Sequence, residues 1–319
     1  MRVLVLGGTS FVGRAIVDDL IANKHEMTLF SRGQTGSELF PDLEKRRGDR
    51  DAGDYASLAD GTWDSVVDVS GYIPRHVNEA MDVLGDRAGR RYLFISTGSV
   101  YDRTLAPDGM DEDAPRLPAE RDTEKITFDT YGPLKVSCED DVLARYGEQA
   151  TVVRPGVVAG PYDPTDRFTY WVRRAARGGR VALPGRPEQP VQVVDSGDLA
   201  TLVTALLTND RGGIFNAVGP AEPTTLDGLI RACAEAAGTA VEVVPVPADV
   251  VPPGFPLVLP DESWDVMFRR SAQRAHDAGM TATPLTATAA ATLAWDRERG
   301  EPKLAAEITP EREAELLRD

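Results

Sequence analysis

The chain has 319 residues, with 42% hydrophobic and 27% charged, so it can form one large domain or two fused lobes of an ordinary globular protein. Its formal net charge of −16 repels phosphate backbones, and no apolar run approaches the ~18 residues of a membrane span. We therefore expect neither a nucleic acid nor a membrane as a partner.

Two cysteines, Cys138 and Cys233, are too few for a disulfide framework or a cysteine metal cage. No group of His, Cys and Asp has metal-ligand spacing, so we expect no metal. Residues 1–6 lead directly into glycines, as a first strand would, and show no signal-peptide pattern. These features predict a cytoplasmic protein.

Short apolar runs alternate with helical patterns through the N-terminal half, which is typical of a parallel α/β sheet. The first helix is predicted over 11–23, with Phe11, Ile16, Val17 and Leu20 facing inward. The predicted strands are 3–6, 27–30, 66–69, 92–96 and 150–154, and a second predicted helix is 132–146.

Two segments interrupt this alternation. Residues 102–128 are acidic and contain prolines, and residues 244–264 include an apolar, proline-rich stretch. A long loop in a compact domain is usually functional, so a lid over a pocket is one interpretation. For the acidic run, a solvated surface is the simpler one.

A glycine-rich turn, residues 7–13 (GGTSFVG), lies where the first strand gives way to the first helix. Glycines there permit a tight turn and let backbone N–H groups reach a pyrophosphate at the helix N-terminus. The motif is a weak signal by itself, but its place between a strand and a helix strengthens it. It predicts a dinucleotide site.

The end of the second strand indicates which dinucleotide is preferred. NAD sites place an Asp or Glu there, whereas this chain has Ser31 and Arg32, a hydroxyl and a guanidinium that suit a 2′-phosphate. The sequence therefore favours NADP(H) over NAD(H), the alternative being that Arg32 is a solvated loop residue. Asp49 could meet the adenine edge.

A candidate proton-transfer pair is formed by Tyr131 and Lys135. Positions i and i+4 share a helix face, and a lysine cation can lower the pKa of a tyrosine, which is otherwise about 10. Thr97 and Ser99 follow the fourth strand, at the carboxyl edge where doubly wound sheets bind ligands. A hydroxyl there can hold a substrate oxygen while Tyr131 moves a proton.

These motifs, together with residues 154–161 (RPGVVAGP), resemble the extended short-chain dehydrogenase/reductase superfamily, in particular its NAD-dependent epimerase/dehydratase family. The resemblance covers nearly the whole chain. It implies an α/β fold: a doubly wound parallel (Rossmann) sheet in residues 1–160, to which 190–218 return, and a smaller substrate lobe in 161–189 and 219–319. It also implies a possible homodimer.

The resemblance implies that Thr97, Tyr131 and Lys135 are catalytic, and that Thr97, Ser99, Asp163 and Arg167 meet the substrate. It adds strand-end segments to the cofactor site. The full set of predicted cofactor residues is Gly7, Thr9, Ser10, Phe11, Val12, Gly13, Ser31, Arg32, Asp49, Val69, Ser70, Gly71, Tyr131, Lys135, Pro155, Gly156, Val157 and Val158.

Departures from the family pattern reduce the number of candidate activities. The acidic pair of the dehydratases is replaced by Gly98 and Ser99, which argues against dehydration by that route. The arginine that grips a sugar-nucleotide diphosphate is missing from residues 190–193, although Arg167, Arg173 or Arg174 could substitute. We therefore expect an NADP(H)-dependent oxidoreductase acting at a secondary alcohol or ketone of a small polar metabolite. A sugar or sugar-nucleotide epimerase with transient oxidation is the alternative, and a non-catalytic dinucleotide sensor or RNA-associated protein is a further one.

Overall fold

A computed structural model describes residues 1–220 and 222–318. Its strands are β1 Arg2–Leu6, β2 Glu26–Ser31, β3 Glu44–Arg47, β4 Ser65–Asp68, β5 Arg91–Ile95, β6 Ala150–Pro155, β7 Val157–Ala159, β8 Gly179–Pro184, β9 Pro190–Val191, β10 Val193–Asp195, β11 Gly213–Ala217, β12 Thr224–Thr225 and β13 Val241–Val246. Its α-helices are α1 Phe11–Ala22, α2 Pro74–Leu84, α3 Phe128–Tyr146, α4 Arg167–Ala176, α5 Ser196–Thr208, α6 Leu226–Ala237, α7 Gln273–Asp277, α8 Leu285–Glu298 and α9 Pro310–Leu316.

Within the described residues, seven strands form one parallel sheet in the order β11-β6-β5-β4-β1-β2-β3. This sheet confirms the predicted α/β fold. The strand order reverses between β1 and β4, and the carboxyl ends of the strands at such a switch point form a ligand-binding crevice. The glycine turn follows β1, and Ser70 lies just beyond β4, so both lie at that crevice.

The chain divides into two compact units. The first comprises Met1–Gly156, Gly197–Ala217 and Ser271–Thr281, and it holds the large sheet. Strand β1 contributes Leu4 and Leu6 to a core that also takes Val77 and Met81 from α2. Because these side chains are removed from water, their burial stabilises the sheet on which the candidate site is built.

The second unit comprises Val157–Ser196, Val218–Arg270 and Ala282–Asp319. It contains three two-stranded sheets among its described residues, formed by β10 and β7, β12 and β9, and β13 and β8. Trp171 of α4 is fully buried and packs edge to face with Phe255, 6.2 Å between ring centroids. The indole N–H of Trp171 donates to the carbonyl of Pro256 (2.8 Å), so the proline-rich segment is part of this core.

Helix α3 begins four residues earlier than predicted. Thr127 caps it, because its side chain accepts from the N–H of Thr130 and the Thr130 hydroxyl accepts from the N–H of Thr127. Pro133 lies inside the helix rather than at its start. The prediction placed the start of the helix beside this proline, whereas the capping pair lies further upstream.

The acidic segment before α3 is tied to that helix. Arg116 donates to Glu139 (3.0 Å), and Arg121 donates to Asp141 (2.8 Å). The N–H of Glu120 also donates to the carbonyl of Pro133 (3.1 Å). These contacts fix the path of the segment along α3, within the first unit.

Candidate active site

The glycine turn after β1 is closely packed. Gly7 has a φ of +95°, and a Cβ on Gly7 would lie 2.8 Å from the Cβ of Ser70. A Cβ on Gly13, in the first turn of α1, would lie 2.0 Å from the carbonyl oxygen of Gly7. Only glycine fits at either position, and the resulting close backbone approach suits a pyrophosphate at the helix N-terminus.

A cavity of about 220 Å³ opens at this edge of the sheet, within the first unit. Six of its lining residues are among those predicted to hold the cofactor: Gly7, Thr9, Ser31, Arg32, Asp49 and Ser70. The sequence did not indicate most of the others, which are Phe30, Gly33, Gln34, Thr35, Gly48, Arg50, Asp51, Tyr72 and His76. The structure therefore brings the glycine turn, the end of β2 and the end of β4 to one cavity.

A buried ion pair fixes one wall of the cavity. The guanidinium of Arg50 donates to both carboxylate oxygens of Asp68 (2.6 and 2.8 Å) and to the Ser70 hydroxyl (3.0 Å). Tyr92 donates its hydroxyl to Asp68 as well (2.9 Å). Burial acts to raise the pKa of Asp68, but Arg50 outweighs it and holds that pKa below 3.8. The pair joins the loop after β3 to the end of β4 and so positions Ser70.

The end of β2 carries no carboxylate. The Ser31 hydroxyl accepts from the N–H of Gly33 (3.2 Å), and Arg32 forms an exposed ion pair with Asp51 at 3.5 Å. Asp49 accepts from the N–H of Asp51 through its side chain (3.0 Å). These contacts leave the side chains of Ser31 and Arg32 at the mouth of the cavity.

His76 closes the same cavity from α2. Its Nε2 lies 3.3 Å from the carboxylate of Asp51. Burial lowers the pKa of His76, and the neighbouring Arg50 and Arg75 lower it further. A lone histidine after a strand could face a cofactor, but it is more often structural, so the sequence alone does not assign His76 to the site.

The hydroxyl groups of Thr97 and Ser99, just after β5, contact each other. Thr97 caps a short turn, since its Oγ1 accepts from the N–H of Ser99 (3.1 Å) and lies 3.2 Å from the Ser99 hydroxyl. Helix α3 packs tightly on this turn, because a Cβ on Gly132 would lie 2.3 Å from the carbonyl oxygen of Ser99. Tyr131, half-buried, is the residue before that contact.

Lys135 is 2% exposed and joins the ends of two strands. Its Nζ donates to the carbonyls of Gly71 (2.6 Å) and Ile95 (2.8 Å). The ammonium also lies 4.0 Å from the centroid of the Phe94 ring and 5.6 Å from that of Tyr72. Burial lowers the pKa of Lys135 to about 8. Lys135 therefore links α3 to the ends of both β4 and β5.

The other residues of the first unit that the sequence predicts for the cofactor are not among the lining residues of this cavity. Ser10 precedes α1 as its N-cap, and Phe11 and Val12 form its first turn. Pro155 ends β6, and the N–H of Gly156 donates to Ala217 (2.9 Å).

Four predicted residues belong to the second unit. Val157 and Val158 lie on β7, paired with Val193 and Val194. Asp163 is 1% exposed, and its Oδ1 accepts from the N–H (2.9 Å) and hydroxyl (2.7 Å) of Thr165. Burial raises the pKa of Asp163.

The rest of the cluster around Asp163 is polar. Arg167 donates to the Thr165 hydroxyl (3.0 Å). The second oxygen of Asp163, Oδ2, is buried and has no hydrogen-bond partner within the described part of the chain. A buried carboxylate oxygen in this state can accept a donor from a ligand.

Residues 73–218 match the model of the NAD dependent epimerase/dehydratase family. This stretch of the chain belongs to that family. The resemblance seen in the sequence motifs is thus confirmed.

Two named proteins are similar to this chain in sequence. The chloroplast stem-loop binding protein of 41 kDa b of Arabidopsis thaliana is 27% identical over 256 residues, 74% of this chain and 63% of the relative. The chain thus spans less than two thirds of that protein. The human epimerase family protein SDR39U1 is 29% identical over 275 residues, 79% of this chain and 85% of the relative.

Solved structures share the fold. The UDP-glucuronic acid 4-epimerase of Bacillus cereus, in complex with NAD, matches with a TM-score of 0.71 and 16% identity over 96% of this chain and 99% of its own. The UDP-glucose 4-epimerase of Thermus thermophilus, also in complex with NAD, matches with a TM-score of 0.67 and 22% identity over 93% and 99%. At these identities the likeness establishes the epimerase-type fold.

Two further observations concern the described residues. No helix in residues 1–220 or 222–318 has the length and apolar composition needed to cross a membrane. The same residues contain no group of three or more His, Cys, Asp and Glu that could hold a metal ion. The possible homodimer and the cytoplasmic location stay predictions.

Proposed function

We propose that the protein is an NADP(H)-dependent oxidoreductase that acts at a secondary alcohol or ketone of a small polar metabolite. The observation that carries the proposal is the position of Lys135, whose ammonium bridges the ends of β4 and β5 while its helix packs on the Thr97–Ser99 turn. This position supports a site in which Thr97, Tyr131 and Lys135 would act together at the carboxyl edge of the sheet.

The residues at this edge fit a dinucleotide. The glycines leave the backbone uncovered where a Cβ would clash, and the cavity beside them is lined by a hydroxyl and a guanidinium at the end of β2. A nicotinamide, when bound, accepts or supplies the hydride. The absence of a carboxylate from the end of β2 supports NADP(H) over NAD(H).

The chain's own groups then have distinct tasks. The Tyr131 phenolate would take the proton of a substrate hydroxyl in oxidation, and the phenol would return it in reduction. Thr97 would hold the substrate oxygen. An ammonium has three N–H donors, and Lys135 uses two on backbone carbonyls, so the third is available to a ligand. Its positive charge would favour the phenolate of Tyr131.

Contacts in the second unit weigh against a sugar-nucleotide substrate. Arg173 is held by Asp296 (2.7 Å), and Arg174 is buried against Glu313 (2.6 Å). Neither arginine is therefore available to grip a diphosphate. Arg167 and the buried carboxyl of Asp163 remain the proposed substrate contacts in that unit.

The test is substitution of Tyr131 by Phe. We expect Tyr131→Phe to retain NADPH binding, measured by fluorescence titration, and to lose turnover on a panel of small hydroxy and keto compounds. Tyr146→Phe is the matched control. It lies on the same helix, and its hydroxyl has no hydrogen-bond partner within the described residues. Full activity of Tyr131→Phe would contradict the assigned role.

A second candidate is an epimerase that oxidises its substrate only transiently, which the family match favours. Net change of NADPH absorbance during turnover separates the two, because an epimerase consumes no cofactor. The name of the Arabidopsis relative raises RNA association as a further candidate. The net charge of −16 opposes it, and an electrophoretic shift of a stem-loop RNA at physiological salt would support it instead.

A further inference from the structure

The third strand brings a second arginine to the end of β2. Parallel pairing aligns Ser31 of β2 with Arg47 of β3. Neighbouring strands in a sheet lie about 4.8 Å apart. The backbone of Arg47 therefore lies beside the end of β2, and Arg32 is the next residue after that strand. This placement could not be predicted from the sequence, because a run of charged residues does not indicate a strand.

The guanidinium of Arg47 lies directly against Gly33. A Cβ on Gly33 would come within 2.7 Å of Nη1 and 2.8 Å of Cζ of Arg47. Gly33 has a φ of +69° and is itself part of the cavity lining. The bare glycine therefore makes room for the guanidinium of Arg47 against Gly33, which lines the cavity and follows Arg32 in the chain.

The two neighbouring arginines of β3 differ in their surroundings. Arg46 is held by the carboxylates of Glu44 (2.8 Å) and Asp60 (2.7 Å). Arg47 is exposed, and its side chain makes no hydrogen bond or ion pair with any residue in the described ranges. Because no carboxylate of the described residues pairs with the guanidinium of Arg47, this group is available to bind an anion.

We propose that Arg47 is a specificity-determining residue that acts with Arg32 on the 2′-phosphate of NADP(H). The inference rests on the proposed function, because it names a further residue of the same cofactor site. The ion pair of Arg32 with Asp51 is long, at 3.5 Å, and exposed on both sides, so a phosphate can replace the carboxylate. Two guanidinium groups then share the phosphate oxygens through charge-assisted hydrogen bonds.

Ser31 complements the two arginines. Its hydroxyl oxygen already accepts from the N–H of Gly33, which leaves its O–H free to donate to an anion. NADH lacks the phosphate and offers these donors only a neutral hydroxyl, a weaker acceptor than an anion. The arrangement therefore predicts discrimination between two cofactors that differ only in this group.

The experiment measures dissociation constants of NADPH and NADH for the full chain and for Arg47→Gln, Arg47→Lys and Arg2→Gln. We expect Arg47→Gln to weaken NADPH binding about tenfold or more and to leave NADH binding unchanged. The NADPH dissociation constant of Arg47→Lys should lie between those of Arg47→Gln and the native chain. Lysine keeps the positive charge but lacks the planar, two-pronged guanidinium. Arg2→Gln removes the same charge at the amino end of β1 and should change neither constant.

The outcomes separate the two proposals. If the native chain prefers NADPH and Arg47→Gln keeps that preference, the role of Arg47 is wrong while the cofactor assignment stands. An equal loss for both cofactors would also overturn the role, since it would reflect a general disturbance of the site. If the native chain binds NADH more tightly or binds neither cofactor, the NADP(H) assignment fails, and the role of Arg47 fails with it.

Discussion

The ammonium of Lys135 donates a 2.6 Å hydrogen bond to the carbonyl oxygen of Gly71, the third residue after β4. Gly71 has no room for a side chain, because a Cβ there would lie 2.7 Å from Val77 and 2.8 Å from Phe94. The backbone at this point is thus fixed by packing on one side and by the lysine on the other. The end of β4 and helix α3 consequently hold one another in place.

Replacement of Lys135 by Met should change the dependence of stability on pH. The pKa of Lys135 is lowered from 10.5 to about 8, so the unfolded chain binds this proton more tightly than the folded one does. The cost of burying the charge is then fully present below pH 8, and it is relieved as the pH rises from 8 to 10.5. We expect native stability to rise over that interval relative to Lys135→Met, by on the order of 1–3 kcal/mol.

Near pH 7 the two proteins should have similar stability. The methionine avoids the cost of a buried charge but leaves the carbonyls of Gly71 and Ile95 without a donor, and each effect is about 1–3 kcal/mol. Urea unfolding at several pH values measures the difference. Lys45→Met is the control, because it removes an exposed lysine and disturbs no buried group. A pH-independent difference for Lys135→Met would contradict the lowered pKa.

The ion pair between Arg50 and Asp68 should dominate the stability of the cavity wall. Asp68→Asn leaves the buried guanidinium without its counter-charge, so we expect a loss of about 3–5 kcal/mol in urea unfolding. Asp82→Asn breaks an exposed pair with Arg145 and should cost less than about 1 kcal/mol. If the single variant does not fold, Arg50→Met combined with Asp68→Leu should restore folding.

The pH dependence of this pair follows from the carboxyl. Because the folded pKa of Asp68 lies below its ordinary value of 3.8, the stabilisation is fully present above pH 3.8. It is lost only as the pH falls through the lower, folded pKa. Equal acid sensitivity of the native protein and Asp68→Asn below pH 3.8 would show that the pair is not the group that titrates.

The strands that the sequence predicts correctly are those whose side chains are buried on both faces. Residues 3–6 are a continuous apolar run, and residues 66–69 are one interrupted only by Asp68, which is what a central parallel strand requires. Strand β3, Glu44–Arg47, was not predicted, because it lies at the sheet edge and has charged, mostly exposed side chains. Its pairing with β2 depends on backbone hydrogen bonds, which no side-chain pattern reveals.

The candidate site was predictable in its local parts and not in its distant ones. The glycine turn and the spacing of Tyr131 and Lys135 are patterns within a few residues. The contact of Arg50 with Asp68 joins positions 18 apart, one in the loop after β3 and the other on β4, and the only signal was a carboxylate in an otherwise apolar strand. A buried carboxylate needs a partner, but the sequence does not say which of its many arginines supplies it.

The environment of Asp163 favours a ligand contact over stability. Burial raises its pKa above 3.8, so the folded chain binds this proton more tightly than the unfolded one. Its contribution to stability is therefore largest at low pH and declines as the pH rises from 3.8 through the raised value. Residue 163 cannot titrate in Asp163→Asn, so the stability of this variant relative to the native protein should rise over that pH interval. Thermal unfolding at several pH values measures the difference.

Asp163→Asn should also lose catalytic efficiency if the buried Oδ2 of Asp163 accepts a hydrogen bond from the substrate. We expect kcat/KM of Asp163→Asn to fall about tenfold or more, because an amide N–H would replace the acceptor, while cofactor affinity stays unchanged. Asp249→Asn, an exposed aspartate in the same unit, should alter neither stability nor kinetics. A variant that gains stability at neutral pH and keeps full kcat/KM would show that Asp163 has no part in substrate binding.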